Sequence, residues 1–428
     1  MRFLGIGDYH SLGDMYWRLL RAGHEVRVFV GNAEAHDIFR GVVERVDDLS
    51  RGLDWVGRDG VIVCETATFG EQADALRADG FAVVGSSAVG DRLEIDRAFG
   101  QKVMADVGMQ TAPTHPFERF DAAIDFVRRK PARYVYKLSD AESASTQNYV
   151  GMLDSGADMI AMLHAEAARC GDGAQPEFVL MDFLRGVEVG IGAYFDGEHF
   201  LGPACIDWEH KRFFPGDLGE LTGEMGTVVN YRHSERLFER TLGRIAPLLR
   251  DARHHGYINI NTIVNDDGVF PLEFTSRFGY PGFAICDALH MDGWDVILRK
   301  MAFGKSDLFR TRDGFAVGVV LTVPPFPYEY GYAELSRGRP IFFDGIAMDD
   351  DALHFGEIER DGDRLLTSGA IGYVVVATGV GDTVQQAQSS AYATVRKVAV
   401  ANARYRNDIG DRLVREDWAT LERLRWIG

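Results

Sequence analysis

Charged side chains stand at the ends of several strands predicted in the middle of the chain. Lys137 ends the strand in PARYVYKLSD, Glu188 follows a strand and turn in RGVEVG, and Arg97 begins a helix. Glu273 interrupts the apolar strand that ends a hairpin, and Arg277 follows it at a turn. A carboxylate in an apolar strand is costly unless it is paired or binds a metal. Cations for phosphates, an acid for ribose hydroxyls and a carboxylate for Mg²⁺ together predict a site for Mg²⁺ and a nucleotide.

Each of these residues also has a purely structural interpretation. Glu273 alone would form a buried salt bridge with Arg277. Lys137 would be a strand-end lysine whose stem is buried and whose ammonium reaches water. Arg97 would lie on a helix surface. Both sets of interpretations stay open on these residues alone.

The composition describes a globular protein that acts on small molecules. The chain has 428 residues, 46% of them hydrophobic and 26% charged, and this length predicts about three domains. Its net charge of −18 argues against nucleic acid or an anionic membrane as a partner. None of the four cysteines forms a CxxC pair, and no run of about 18 apolar residues occurs. We therefore expect a cytoplasmic protein with reduced thiols, either a monomer or a homodimer.

The order of the predicted elements indicates an α/β chain. RFLGIG, SLGDMYWRLLRAGH and EVRVFVG form a βαβ unit, which makes the first sheet parallel. Continuous helices are predicted over LEIDRAFGQKVMADVG and over SERLFERTLGRIAPLLRDARHHG. YININTIVNDDGVFPLEF is predicted to be a hairpin with its turn at 265–268, and EHKRFFPGDLGELTGEMG to be a loop. Strands with short turns and one helix follow after about residue 315. The apolar face of the second long helix is made by Leu237, Phe238, Leu242, Ile245 and Leu249.

Five motifs occur in the order in which one known family has them. EHKRFFPGDLGELTGEMG is similar to DHKR…GD.GPNTGGMG, PLEFTSRFGYP to LEFN.RFGDPE, and LEIDRAFGQKVM to LEGSKAF.K.F. DRLLTSG and YRNDIGDRL are similar to LVTSGGR and YR.DIG.R. Over nearly its whole length the chain resembles the glycinamide ribonucleotide synthetase (phosphoribosylamine–glycine ligase) family of ATP-grasp amide ligases.

The resemblance implies an ATP-grasp fold with a doubly wound N-terminal domain and a C-terminal α+β domain. It implies ATP and Mg²⁺ as cofactors. The expected boundaries are 1–96 for the N-terminal substrate-binding domain, 97–118 and 183–314 for the ATP-grasp core, 119–182 for its lid, and 315–428 for the C-terminal domain.

The resemblance also implies roles for residues at matching positions. Arg97 and Lys137 would bind the phosphates and Glu188 the ribose, and the adenine would lie against Asp182, Phe183 and Leu184. Glu273 would be a magnesium ligand, with Thr275 in place of an asparagine ligand. Asn261, on the facing strand, stands where other ATP-grasp enzymes have a first metal carboxylate. Arg277 and Lys211 would act in catalysis on the acyl phosphate.

Other matched or neighbouring residues are expected to contact the two substrates. Two roles stay equally open for His210, that of an ordinary loop histidine and that of a group in the acceptor site. For Lys211 and Arg212 the alternative to anion contact is a charge pair in solvent. The expected substrate-binding residues are His10, Ser11, Glu65, Asp207, His210, Thr222 and Gly279.

The chain departs from the family at its phosphate-binding loops. GDYHSLGD replaces Gly-Gly-Arg-Glu-His and brings Asp8 and Asp14 where a phosphate would lie, and GAIG at 369–372 replaces Gly-Gly-Arg. Glu224 replaces a glycine. The Gly-rich flap over ATP is replaced by SDAESASTQNYVG, which is either a lid with hydroxyl donors or a disordered loop. These changes disfavour a phosphorylated acceptor.

Three functions are compatible with this pattern. We expect an ATP-dependent carboxylate–amine ligase that forms an acyl phosphate and joins glycine or another small amino acid to an amine other than phosphoribosylamine. One alternative is an authentic phosphoribosylamine–glycine ligase of purine biosynthesis. The other is a non-catalytic nucleotide-binding paralogue.

Overall fold

The computed structural model describes residues 1–138, 148–171, 175–304 and 308–428. Its N-terminal part is a parallel five-stranded sheet in the order β3-β2-β1-β4-β5. Helices cover both faces, because Phe3 and Leu4 on adjacent positions of β1 pack into two different cores. The predicted βαβ unit is confirmed. The elements are β1 Arg2–Gly7, α1 Gly13–Arg21, β2 Glu25–Val30, β3 Glu44–Arg45, α2 Leu49–Val56, β4 Val61–Cys64, α3 Gly70–Ala78, β5 Ala82–Val84 and α4 Ala88–Ile95.

A small antiparallel sheet in the order β6-β9-β7-β8, here called the lid sheet, follows helix α5 (Arg97–Asp106). Its own core is aromatic, with Phe120, Tyr134, Tyr136 and Phe178 almost fully buried. The elements are β6 Thr114–Phe117, α6 Phe120–Arg129, β7 Tyr134–Leu138, β8 Tyr149–Val150, α7 Ala157–Cys170 and β9 Phe178–Asp182.

The largest sheet, here called the core sheet, has eight strands in the order β16-β15-β10-β11-β14-β17-β22-β19. Its strands are β10 Val187–Asp196, β11 Phe200–Glu209, β14 Gly226–Asn230, β15 His255–Asn265, β16 Gly268–Thr275, β17 Phe315–Thr322, β19 Leu353–Phe355 and β22 Tyr373–Gly381. The hairpin turn predicted at 265–268 is confirmed by the pairing of Asn265 with Gly268. Since β14 pairs with β17, the boundary expected at residue 315 runs through a continuous sheet.

Shorter elements complete the chain. A second four-stranded sheet has the order β20-β21-β18-β23, and β12 pairs with β13. No helix in the described parts of the chain is long and apolar enough to cross a membrane. These elements are β12 Arg212–Phe214, β13 Leu218–Leu221, α8 Glu235–Arg240, α9 Ala246–Asp251, α10 Gly282–Asp287, α11 Trp294–Phe303, α12 Tyr332–Leu335, β18 Pro340–Phe343, β20 Ile358–Asp361, β21 Arg364–Thr367, α13 Val384–Val395, β23 Val398–Ala399 and α14 Trp418–Arg423, with 3₁₀ turns at Ala33–Ala35 and Leu242–Ile245 and a π-helical turn at Leu413–Asp417.

The prediction of continuous long helices was wrong in two places. Asp96 separates α4 from α5, because its side chain accepts a hydrogen bond from the Phe99 N–H and caps a new helix. The helix predicted over 234–256 is divided into α8, a 3₁₀ turn and α9. Pro247 lacks the N–H of a helix interior and stands in the first turn of α9. The predicted apolar face nevertheless points inward, since Leu237, Leu242, Ile245 and Leu249 are fully buried.

The segment predicted as a loop over 209–226 contains the short hairpin of β12 and β13. Its polar and glycine-rich composition hid this pairing, which spans only a few residues on each strand.

Candidate active site

Strand alternation places polar side chains on one face of the core sheet. Asn261 lies opposite Glu273, and β10 joins β15 to β11 in register. Because alternate residues of a strand share a face, the apolar residues between them, such as Ile206 and Ile260, pack on the other side in the core. The polar face carries Glu188 on β10, Asp207 and Glu209 on β11, Asn259 and Asn261 on β15, and Glu273 and Thr275 on β16.

Glu273 joins the lid sheet to the core sheet. Its Oε2 accepts hydrogen bonds from Lys137 Nζ and from an Arg97 guanidinium N–H, each over 2.8 Å. The charge of Lys137, with help from Lys211 and Arg97, holds the pKa of Glu273 well below its ordinary value although burial opposes this. Burial lowers the pKa of Lys137, and Glu273 counteracts the effect. The carboxylate is therefore charged and paired, as a half-buried acid must be.

Lys211 links the same carboxylate to two others. Its Nζ lies 2.8 Å from Glu188 Oε1, 3.2 Å from Glu209 Oε2 and 3.8 Å from Glu273 Oε1. Burial acts to lower the pKa of Lys211, but these three carboxylates raise it well above its ordinary value. Lys211 is thus a charged member of the site rather than part of a solvated pair with Arg212.

A cleft of about 490 Å³ lies between the lid sheet and this polar face. The volume is in the range of small-molecule sites. Of the predicted flap, 139–147 lie outside the described residues, whereas Asn148 and Val150 line the cleft. The predicted site residues on the cleft wall are Arg97, Lys137, Asp182, Phe183, Leu184, Glu188, Lys211, Thr222, Glu273 and Arg277.

Arg277 is held by a residue that the sequence did not indicate. Its Nε donates to Glu94 Oε1 over 3.1 Å, and one terminal N–H donates to the Phe278 carbonyl. Glu94 also accepts from the Ser276 N–H over 2.8 Å. The partners of Glu273 are Arg97, Lys137 and Lys211, so the alternative of a Glu273–Arg277 salt bridge is wrong.

A second, smaller pocket of about 40 Å³, here called the inner pocket, lies on the same polar face. It contains three predicted site residues, Asp207, Thr275 and Gly279. Glu209 belongs to its wall and also contacts Lys211 of the cleft. The two cavities are therefore neighbours.

Asn261 and Glu273, two of the residues expected to hold Mg²⁺, lie opposite each other on β15 and β16. The Asn261 amide N–H donates to Glu209 Oε2 over 3.2 Å. No group of three or more His, Cys, Asp or Glu side chains that would hold a metal occurs among the described residues. The protein alone offers few ligands, which suits Mg²⁺ that keeps waters and phosphate oxygens. Thr275 lies instead in the wall of the inner pocket.

Three predicted substrate residues lie together at the carboxyl ends of β1 and β4. The buried His10 ring bonds to the Ile38 carbonyl through Nδ1, and burial lowers its pKa to about 3. Glu65 accepts hydrogen bonds from the backbone N–H groups of Leu12 and Ser11, and burial raises its pKa to about 7. A carboxylate of the chain itself thus occupies the N–H groups at this loop.

Asp14 does not face this loop as expected. It lies in the first turn of α1, where Arg18 one turn later pairs with it at 2.7 Å. His354 bonds to the same carboxylate at 3.1 Å.

The GAIG loop also has its N–H groups occupied. Glu357 accepts from the N–H groups of Ala370, Ile371 and Gly372 over 3.3, 2.9 and 2.5 Å. Burial raises the pKa of Glu357 to about 7 although these donors pull it down. The carboxyl group of Glu357 therefore occupies the N–H groups of the second loop that differs from the family.

His210 and Thr222 border the β12–β13 hairpin. The Thr222 N–H donates to the Lys211 carbonyl over 2.8 Å. His210 Nε2 accepts from the Gly410 N–H over 3.2 Å, and burial lowers the pKa of His210 to about 4. His210 is thereby attached to the C-terminal segment.

Sequence reasoning missed Glu94, Glu209 and Glu357, and did not assign a role to Glu224. Glu209 had a usable signal, since it lies two residues after Asp207 on the same strand. The others meet their partners only through tertiary structure.

Comparisons with known proteins agree with this arrangement. The family model of the phosphoribosylglycinamide synthetase ATP-grasp (A) domain matches residues 95–283, and that of the C domain matches 316–412. Phosphoribosylamine–glycine ligase of Salmonella typhimurium is 30% identical over 363 residues, covering 82% of this chain and 80% of that protein.

Two further relatives span almost the whole chain. Phosphoribosylamine–glycine ligase of Neisseria meningitidis is 26% identical over 432 residues, covering 97% of this chain and 100% of that protein. The crystal structure of phosphoribosylamine–glycine ligase from Thermotoga maritima matches with a TM-score of 0.72 at 22% identity, covering 96% of this chain and 100% of that chain. The ATP-grasp fold expected from the motifs is confirmed.

Proposed function

The chain belongs to the phosphoribosylglycinamide synthetase family of ATP-grasp ligases, and on that premise we propose that it activates an amino-acid carboxylate with ATP and joins it to an amine. It is an enzyme that forms a C–N bond with release of ADP and phosphate. The observation that carries the proposal is the convergence of Arg97, Lys137 and Lys211 on Glu273 at a cleft between lid and core.

The reaction has two steps. A carboxylate oxygen attacks the γ-phosphorus of ATP, and the bond to the β–γ bridging oxygen breaks to release ADP. The amine nitrogen then attacks the acyl carbon of the acyl phosphate, inorganic phosphate leaves, and the nitrogen loses a proton. Such phosphoryl transfer depends on positioning and on stabilisation of charge more than on covalent chemistry by the protein.

The cleft residues supply binding and charge. Lys137 and Arg97 bind the nucleotide phosphates, Glu188 accepts the ribose hydroxyls, and the backbone of 182–184 lies against the adenine. Arg277, held by Glu94, steadies the transferred phosphoryl group from the cleft wall. Magnesium, when bound with ATP, neutralises phosphate charge, and Glu273 and Asn261 would hold it.

ATP binding requires an exchange of partners at Glu273. Lys137 and Arg97 are paired with this carboxylate at 2.8 Å in the structure. Phosphate oxygens compete for the same donors, and the released carboxylate becomes available to Mg²⁺. The same charged residues thus form an ion pair within the protein before ATP binds and contact ATP and Mg²⁺ afterwards.

The activation step is tested without knowledge of the amine. Hydroxylamine captures an acyl phosphate as a hydroxamate, so we expect hydroxamate from glycine or another small amino acid with Mg·ATP. ADP release is measured in parallel. Nucleotide binding without hydroxamate or ADP from any small amino acid would instead favour the non-catalytic alternative.

Two acceptors have specific support. The names of the relatives favour phosphoribosylamine over the different amine that the sequence led us to expect. An amine without a phosphate is the second candidate, because Glu65 and Glu357 occupy the N–H groups of the two altered loops. A phosphate at either loop would have to displace that carboxyl group from its N–H donors.

A further inference from the structure

The inner pocket combines acids with aromatic walls. Asp207, Glu209 and Glu224 line it together with the rings of Tyr194, Tyr257, Phe278 and Phe283. Carboxylates and aromatic faces are the groups that bind organic cations.

Asp207 has an unused acceptor. The residue is 5% exposed, and its Oδ2 accepts a hydrogen bond from Asn259 Nδ2 over 2.8 Å. Its Oδ1 is buried and has no hydrogen-bond partner in the parts of the chain that are described. Buried polar atoms are normally paired. A Cβ on Gly190 would overlap this oxygen, so the glycine keeps space for the carboxylate.

Glu224 adds a second buried acid at a position where the family motif has glycine. It is 6% exposed and accepts a hydrogen bond from the Thr227 hydroxyl. Lys211 is the cation whose charge acts to lower the pKa of both Asp207 and Glu224. Burial and the charge of Glu209 raise the pKa of both Asp207 and Glu224 well above their ordinary values, so a cation bound beside them would stabilise their carboxylate forms.

The size of the inner pocket limits its guest. One water-sized group needs roughly 10–15 Å³, so a pocket of about 40 Å³ admits about three such groups. An ammonium group with one or two carbons fits this space.

We propose that the inner pocket binds the ammonium group of the carboxylate substrate, a small α- or β-amino acid, and that Glu224 selects for it together with Asp207. The inference rests on the proposed function. The bound amino acid would extend its carboxylate past Glu209 toward Lys211 in the cleft, where activation occurs. The attacking amine is a poor occupant, because neighbouring carboxylates stabilise its protonated form, which is not a nucleophile.

The test compares amino acids with their hydroxy analogues. Glycine, alanine and β-alanine are titrated against glycolate, lactate and 3-hydroxypropionate by calorimetry on the full chain with Mg·ADP present. We expect at least one amino acid to bind tenfold or more tightly than its hydroxy analogue. Glu224→Gln and Asp207→Asn should each reduce that selectivity at least fivefold, whereas Glu239→Gln, at an exposed site, should leave it unchanged.

The outcomes separate the two proposals. Equal binding of every amino acid and its analogue, or selectivity unchanged in both folded variants, would overturn the inner-pocket inference even if hydroxamate is formed. Failure to bind Mg·ADP or to form hydroxamate, with ammonium selectivity intact, would instead count against the proposed function. Circular dichroism melting of each variant verifies that it is folded.

Discussion

Lys137 Nζ lies 2.8 Å from Glu273 Oε2, and this contact joins strand β7 of the lid sheet to strand β16 of the core sheet. Charge-assisted hydrogen bonds of this kind are short and strong. Because both side chains also line the cleft, any anion bound there competes with Glu273 for Lys137. The ion pair is therefore both a structural link and the place where a nucleotide enters the charge network.

Glu273→Gln should uncouple nucleotide binding from turnover. The amide no longer neutralises Lys137 and Arg97, so both cations remain free for phosphates. We expect the affinity for ADP without Mg²⁺ to match or exceed that of the wild type. Turnover should fall by about 100-fold or more, as when one preorganised charge-stabilising group is lost. Calorimetry with ADP and an ADP-release assay with Mg·ATP measure the two effects.

Glu239→Gln is the matched control, since this exposed carboxylate lies outside the cleft. Full activity of Glu273→Gln at saturating magnesium would show that the metal is held elsewhere. Asn261→Ala should lower turnover in the same direction but less.

Mg·ATP should stabilise the fold through Lys137. A ligand at 100 times its dissociation constant raises the free energy of unfolding by about 2.7 kcal/mol. Lys137→Met should weaken Mg·ATP binding by about tenfold or more, since a hydrogen bond to a charged group contributes roughly 1.5–3 kcal/mol. Urea unfolding with and without Mg·ATP gives both values. Lys102→Met, at an exposed helix position, should keep the full stabilisation, and an equal loss in both variants would argue against the role of Lys137.

Much of the site could be predicted because strand ends and strand alternation fix where side chains point. Lys137, Glu188 and Glu273 were assigned to one site from local pattern and motif, and the structure places all three at one cleft. Glu94 was not assigned a role, although it is the second residue of the motif LEIDRAFGQKVM. Its partner Arg277 is far away in sequence, and only the packing of α4 against β16 brings the two together.

The fold could be predicted from hydrophobic periodicity wherever a helix or strand buries only one of its faces. The βαβ unit and the hairpin at 265–268 had strong local signals and are confirmed. The interruption of the helix before α9 was missed, because the apolar spacing continues through Pro247. The α-helical backbone, in contrast, ends with α8 and begins again only with α9. The contact between Glu357 and the backbone of the GAIG loop could not be predicted, because no motif or spacing connects these residues.

The contribution of Glu357 to stability should fall as the pH rises from acid to neutral. Burial raises the pKa of Glu357 from 4.5 to about 7 in the folded chain. The unfolded chain loses this proton first, so the free energy of unfolding decreases between about pH 4.5 and 7. At 1.36 kcal/mol per unit the loss for this group is at most about 3 kcal/mol. Glu65 acts in the same direction, because burial also raises its pKa to about 7.

Glu357→Gln keeps an oxygen acceptor for the loop but does not titrate. The difference in unfolding free energy between pH 5 and pH 8 should therefore shrink by about 2–3 kcal/mol relative to the wild type. Urea titrations at the two pH values measure it. Glu334→Gln, at an exposed site, serves as the control. A pH dependence unchanged by Glu357→Gln would mean that Glu357 is ionised in the fold throughout this range.

Glu357 should also decide whether the GAIG loop accepts a phosphate. The N–H groups of Ala370, Ile371 and Gly372 are directed at its carboxylate, and backbone N–H groups arranged in this way bind anions. In Glu357→Ala the donors are freed, so ribose 5-phosphate should become a competitive inhibitor against the amine, with an inhibition constant at least tenfold lower than for the wild type. Initial-rate kinetics on the folded variant, with Glu334→Gln as control, measure this. Strong inhibition of the wild type with no gain in Glu357→Ala would place a phosphate site elsewhere and favour phosphoribosylamine as the natural acceptor. Weak inhibition of the wild type and a large gain in the variant would favour an amine without phosphate, because the chain's own carboxylate then occupies the position that a substrate phosphate would need.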